Sequence, residues 1–134
     1  MAGETDLKQL LRSMRPQLDA NRYVFAILPL GQPMPDNLQP VMTFHEDEGT
    51  TLVLRAEEAE AAGLAGAFAC RRITLMVHSS LEAVGFLAAI TARLAKAGMG
   101  VNPVSAFFHD HLFVPAERAG EAMAMLEALA RENG

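Results

Sequence analysis

The sequence predicts an α+β fold, an antiparallel sheet with helices on one face, and three observations carry that expectation. Hydrophobic residues make up 51 % of the 134 positions, enough for one good core or two small subdomains. Segments that alternate apolar and polar residues take turns with segments of helical period. The chain also repeats itself. Residues 7–28 align with 87–108 at an offset of 80, and residues 50–62 with 110–122 at an offset of 60. Leu7, Leu10 and Met14 fall on Leu87, Ile90 and Leu94, the core stripe of a helix. Val24, Ala26 and Leu28 fall on Val104, Ala106 and Phe108, the core face of a strand. Each copy thus reads helix, strand, strand, helix, the element pattern of a ferredoxin-like sandwich.

In order along the chain, the first helix begins near Leu7 and the first strand spans Val24 to Leu28. The change of offset marks an insertion of about 20 residues, 29–49, with Pro29, Pro33, Pro35 and Pro40 and one short strand, Val41 to His45. His45-Glu-Asp-Glu-Gly49 reads as the acidic tip of a hairpin. Leu52 to Ala59 matches Leu112 to Ala119, a strand that runs into a helix. Between the copies lies a strand from Arg71 to His78, with Ile73, Leu75 and Val77 on one face and Thr74 and His78 on the other. A helix follows, with Leu87, Ile90 and Leu94 on one side, Arg93 and Lys96 on the other, and Gly98 as a stop. The last helix, from Ala116 to Asn133, carries Ala122, Met125, Leu126 and Leu129 as its apolar stripe. The expected domains are 1–67, with the inserted loop 29–49, and 68–134, two αββα repeats joined by a shared central strand. One strand is too few for two complete units. Either one half is truncated, or the Val41 to His45 strand fills the vacancy, or a second chain does.

Composition excludes several functions. A net charge of −5, with no basic cluster beyond Arg71-Arg72, argues against a nucleic-acid partner. The longest apolar run, Leu81 to Ala92, is far short of the roughly 20 residues that cross a bilayer. A lone cysteine, Cys70, and an N-terminus without an apolar core point to a reducing cytoplasm. Neither a P-loop nor a dinucleotide fingerprint occurs, and no cofactor is expected.

The segment Val77-His-Ser-Ser-Leu-Glu-Ala-Val-Gly85 is the strongest candidate site. Ser79 or Ser80 would cap the following helix, leaving first-turn amides for a carboxylate or phosphate, and Gly85 would admit a close ligand. His45, His78, His109 and His111 all sit at strand ends or turns. His78, His109 and His111, with Glu82, would assemble a metal site if His109-Asp-His111 were extended; if His109-Asp110 form the turn itself, the rings diverge and Asp110 is an ordinary turn residue. Glu46 and Glu48 are candidate partners for an amino group, and Asn102, before Pro103 in an edge or bulged strand, has a side chain free for a ligand. Neither Cys70 nor Ser79-Ser80 is assigned as a nucleophile, since no base accompanies them.

Thr43 to Leu54, Ile73 to Gly85 and His109 to Pro115 together resemble a family of small bacterial proteins grouped with ACT domains. The resemblance spans Leu7 to about Leu129 and implies a tandem pair of ferredoxin-like, ACT-type domains. It implies domains that pair side by side and bind amino acids as regulatory ligands at their interfaces. The family's acid-x-x-glycine pattern matches Glu82-Ala-Val-Gly85, which carries over Ser79, Ser80, Glu82 and Gly85 as ligand-binding residues; Val84, within the motif, is a further candidate. The reading is a non-catalytic, homodimeric module that senses an amino acid or similar small polar metabolite. The alternatives are a metal protein or small enzyme on the three histidines, and a structural module that pairs with another protein.

Overall fold

The computed structural model describes residues 3–134. They form two compact units, one built from the N-terminal segment to Ala20 together with Arg71–Gly134, the other from Asn21–Cys70. The first helix, α1 (Leu7–Ser13), starts where the Asp6 carboxylate accepts the Gln9 amide at 2.9 Å, an N-cap that satisfies an orphan donor. It ends three residues before Pro16, whose ring disfavours helix at the residue ahead of it. Leu10 and Met14 are fully buried, as the repeat predicts, whereas Leu7 is partly exposed.

The chain then forms a strand that the sequence reading missed, β1 (Pro16–Leu18). It pairs antiparallel with the end of β5 (Gly66–Leu75), Pro16 opposite Leu75 and Leu18 opposite Ile73. β5 is followed by α3 (Phe86–Lys96), β6 (Asn102–Ser105), β7 (Asp110–Pro115), a single 3-10 turn at Ala116–Arg118, and α4 (Ala119–Glu132). Within this unit β5 lies beside β7, and β7 beside β6. The unit is therefore a ferredoxin-like βαββαβ arrangement whose fourth strand comes from the N-terminus. That supplies the vacancy in this unit: β1 fills it, not a second chain. Its core is Leu10, Met14, Ile73, Leu75, Ile90, Leu94, Leu112, Val114, Ala122 and Leu126. An ion pair and a hydrogen bond hold Asp19, just after β1: Arg72 pairs with its carboxylate at 2.7 Å and Arg71 donates to its carbonyl at 2.8 Å.

The second unit contains β2 (Tyr23–Pro29), β3 (Met42–Glu46), β4 (Gly49–Arg55), α2 (Ala56–Ala61) and the first half of β5. Its strand order is β3-β4-β2-β5, again the ferredoxin-like order, with the proline-rich stretch after β2 standing where a first helix would be. Prolines deny helix its amide donors, so this stretch stays irregular and contributes Leu38 to the core instead. Ala26, Leu28, Leu52 and Leu54 line that core, as the alternation predicts. β5 is thus the strand shared by both copies.

Three sequence-based expectations are corrected. β5 begins at Gly66 and stops at Leu75, so Met76 to His78 lie beyond it. The amide of Val77 turns back to the Leu75 carbonyl at 2.8 Å, which ends the ladder. The strand expected through Phe108 stops at Ser105, and Ala106 and Phe108 are exposed rather than core, because Ala106 to His109 is a loop closed by the Ala106 amide on the His109 carbonyl. Finally, α3 begins at Phe86 rather than directly after Ser80.

Candidate functional site

Gly85 sets the geometry of the site. Its φ of +91° is a conformation that side chains with a Cβ disfavour, and the helix can begin only after it, with the Ala89 amide closing onto the Gly85 carbonyl at 2.9 Å. No side chain caps α3. Ser80, expected to cap it, instead closes a turn, its Oγ accepting the Glu82 amide at 3.0 Å and its carbonyl accepting Ala83 at 3.0 Å. Both serines stay at the site, but as loop residues. The β5–α3 loop is held in place by the N-terminal segment. The Glu4 amide donates to the His78 carbonyl at 2.8 Å, and the Ser80 amide donates to the Glu4 carbonyl at 2.9 Å. Gly3 lies so close that a Cβ there would stand 2.6 Å from the His78 carbonyl oxygen.

Opposite this loop, the β6–β7 hairpin presents Ser105 and Asp110, which are directly paired across the ladder. Asp110 is only 7 % exposed. One carboxylate oxygen accepts from the Ser105 hydroxyl at 2.6 Å and the other from the Ser79 hydroxyl at 3.2 Å. A buried carboxylate needs such donors, and here two hydroxyls from different loops supply them. Asp110 was anticipated only as a turn residue. The missed signal was its spacing of five from Ser105 across a short loop, which the length of the hairpin decides.

Two hollows adjoin here. One, of about 150 Å³, is lined by residues of the β5–α3 loop and the start of α3, among them Ser79, Ser80, Leu81 and Leu87, and by Ser105 and Asp110 of the hairpin. The other, of about 250 Å³, is bounded by Gly3, His78, Ser79, Glu82, Leu81 and Phe107. They meet along Ser79 to Leu81. Both are small against the roughly 300–1,000 Å³ of drug-sized sites and match a metabolite of a few heavy atoms.

Of the other predicted residues, Glu82 and Val84 are exposed on the loop, Val84 at 84 %. Asn102 lies on β6 opposite Phe113, three residues from Ser105 and roughly 10 Å along the strand, and lines neither hollow. Glu46 and Glu48 belong to the β3–β4 tip in the other unit, where the Glu46 carboxylate accepts the Thr51 hydroxyl; neither is among the lining residues. His111 lies on β7 as expected of an extended strand, but His109 does not. His109 ends the loop, and the two rings meet edge-on with centroids 6.4 Å apart. His78 packs instead against Phe107 and Phe108, 6.5 and 5.6 Å away. His111 hydrogen-bonds Thr74 at 2.9 Å. Burial, followed by the nearby Arg72 and His109 charges, lowers its pKa. Among the described residues no group of three or more His, Cys, Asp or Glu converges on a metal position. The Cys70 thiol is buried against the Tyr23 carbonyl, and burial pushes its pKa up to about 11, which disfavours the thiolate. No helix among the described residues is long and apolar enough to cross a membrane.

Models of the ACT domain match residues 2–71 and 68–128. No curated protein matches the sequence. Among solved structures, a protein of unknown function from Vibrio cholerae, described as a possible transport protein, is 44 % identical over 92 % of this chain and 95 % of its own, with a TM-score of 0.83. An Agrobacterium tumefaciens protein is 16 % identical over 87 % of this chain and 89 % of its own, at a TM-score of 0.74. The ligand-free regulatory subunit of aspartate kinase from Thermus thermophilus is 11 % identical over 89 % of this chain and 97 % of its own, at a TM-score of 0.64. The last two share the fold. ACT domains are typically regulatory rather than catalytic, so their presence supports a ligand-binding regulatory module. With two such domains in tandem along nearly its whole length, the chain belongs to the ACT-domain family.

Proposed function

We propose that this chain is a non-catalytic sensor of an amino acid or similar small polar metabolite, bound in the hollow between the β5–α3 loop and the β6–β7 hairpin. The observation that carries the reading is Asp110. A carboxylate that is 7 % exposed, oriented by two hydroxyls and bordering a cavity of metabolite size, is a preorganised partner for an ammonium group. Phe86 and Leu87, the first residues of the uncapped α3, line the same hollow, and first-turn amides suit a carboxylate. The two ends of a zwitterion are thereby matched.

Ser79 and Ser80 enter the reading as lining residues of this hollow, with Asp110 and Ser105 added, while Gly85 sets the start of α3 and Glu82 lines the neighbouring hollow. Ligand binding would join the loop to the hairpin, and the resulting shift in their relative position is the signal. Val84 and Phe108, 84 % and 61 % exposed beside the site, support a homodimer that covers them. The lone buried thiol is consistent with the cytoplasm.

The test is a thermal-shift screen of the amino acids with the wild-type chain and Asp110→Asn, which keeps shape and removes charge. A ligand that binds only the folded state raises the midpoint, by about 2.7 kcal/mol of stabilisation at a hundredfold excess over Kd. The expected result is a shift with some amino acids that Asp110→Asn abolishes and Glu46→Gln leaves intact. No shift at several millimolar, or an unchanged response in Asp110→Asn, would refute the reading.

A further inference from the structure

We infer that the hollow between the ends of α1 and α4 is a second binding site, for an oxyanion, and that the phosphate group of a small soluble molecule fits it best. It shares no residue with the Asp110 hollow and is independent of the amino-acid reading. α1 packs against α4. Where the two helices end they border one hollow of about 400 Å³, which brings together Arg12 in the last turn of α1, Arg15 just after it, and Arg131 in the last turn of α4, with Glu127 one turn earlier. The buried Met14 and Ala130 also line it, so the hollow reaches down to the core, while the arginines are exposed around it.

These arginines carry charge that no carboxylate takes up. Arg55, Arg72, Arg93 and Arg118 each have an acidic partner, whereas Arg12, Arg15 and Arg131 form no ion pair among the described residues, in a protein of net charge −5. Glu132, next to Arg131, is held by Arg93 at 2.5 Å. Two helix C-termini bring roughly half a negative charge each, and Glu127 brings one more, which leaves three guanidinium groups with an excess of about one positive charge. The donors are also positioned. Arg12 donates to the Gln9 side chain, and Arg15 to the Arg12 and Met14 carbonyls at 3.1 and 3.0 Å, each through a single nitrogen. The remaining N–H groups exceed what the two oxygens of a carboxylate can accept, and a phosphate presents three. The volume lies within the range of small-molecule sites, which leaves room for an organic group beside the phosphate. An extended polyanion would meet the negative field of the whole chain, so the ligand is small.

The test is a titration of the full chain with sodium phosphate at constant low ionic strength, followed by calorimetry and by the arginine Nε–H resonances. Saturable shifts are expected at Arg12, Arg15 and Arg131 and not at Arg55. Arg15→Gln and Arg131→Gln should each weaken phosphate binding about fivefold, a charge-assisted hydrogen bond discounted for exposure. Acetate should bind about fivefold or more weakly than phosphate. Glu127→Gln should tighten binding about twofold by removing an opposing charge, a change of sign that loss of folding cannot produce. Arg55→Gln should leave affinity unchanged. Shifts of equal size at every arginine, acetate binding as well as phosphate, no saturation with phosphate, or full affinity in both Arg15→Gln and Arg131→Gln would each overturn the inference and leave the amino-acid reading untouched.

Discussion

The start of α3 depends on one backbone angle, and a pair of glycine substitutions of opposite sign tests it. Gly85 has φ +91°, whereas Gly120 is an exposed residue in the first turn of α4 with ordinary helical geometry and open space where a Cβ would go. At Gly85 an added Cβ would meet only Leu7, at 3.5 and 4.0 Å, which is ordinary contact, so the cost is conformational rather than a clash. Left-handed backbone costs an L-residue about 1–2 kcal/mol. Alanine also restricts the unfolded chain, which returns about 0.4–1 kcal/mol. Gly85→Ala should therefore destabilise by about 1 kcal/mol net and lower Tm by roughly 3 °C in a chain of this size. At Gly120 no strain opposes the gain. Gly120→Ala should stabilise by about 0.5–1 kcal/mol, the difference in helix propensity. Urea titrations fitted with a common slope for wild type and both variants measure the two changes. Shifts of the same sign, or a neutral Gly85→Ala, would refute the view that this glycine determines where the helix starts.

Two pH dependences follow from buried groups. His111 has its pKa lowered, so the unfolded chain takes up the proton more readily than the folded one as the pH falls below the ordinary value of 6.5; its contribution to stability is present above that pH and lost on acidification. Melting followed from pH 7.5 to 5 should show a decline that His111→Gln flattens, and an identical slope in the variant would refute it. Cys70 has its pKa raised from 9.0 to about 11, so its contribution is complete below pH 9 and is lost as the pH rises through about 11, an effect of roughly 2–3 kcal/mol at most. Cys70→Ala should be flatter than wild type across that window. A thiol reagent that labels native protein at neutral pH as fast as unfolded protein would contradict the burial of this thiol.

Much of the fold was legible because hydrophobic periodicity is a local property. Leu10 and Met14, Ala26 and Leu28, and Ile90 and Leu94 each announce a buried face through spacing alone, and all are buried. The offset of 60 matched β4 and α2 with β7 and α4, and the motifs exposed the family; the offset of 80 did not hold, since it set β2 on β6 whereas β2 and β5 are the leading strands of the two units and α1 belongs to the unit of α3, β6 and β7. The β5–α3 loop was also legible as the place for a site, since two hydroxyls, an acid and a glycine stand where a strand gives way to a helix.

What the sequence could not reveal depends on contacts between distant segments. β1 is three residues long, too short for any alternation to show, and exists because β5 offers Leu75, Thr74 and Ile73 an antiparallel partner. By sequence Ser80 was as good a helix cap as any; the left-handed angle at Gly85 moved the helix five residues on and turned Ser80 into a loop brace. Asp110 and Ser79 are separated by 31 residues, and only the pairing of hairpin and loop converts a turn aspartate into a buried, doubly bonded carboxylate. Amino-acid order alone thus determined the kinds of elements and the family. Tertiary structure decided which polar groups meet, because burial and hydrogen bonding are properties of surfaces brought together across the chain.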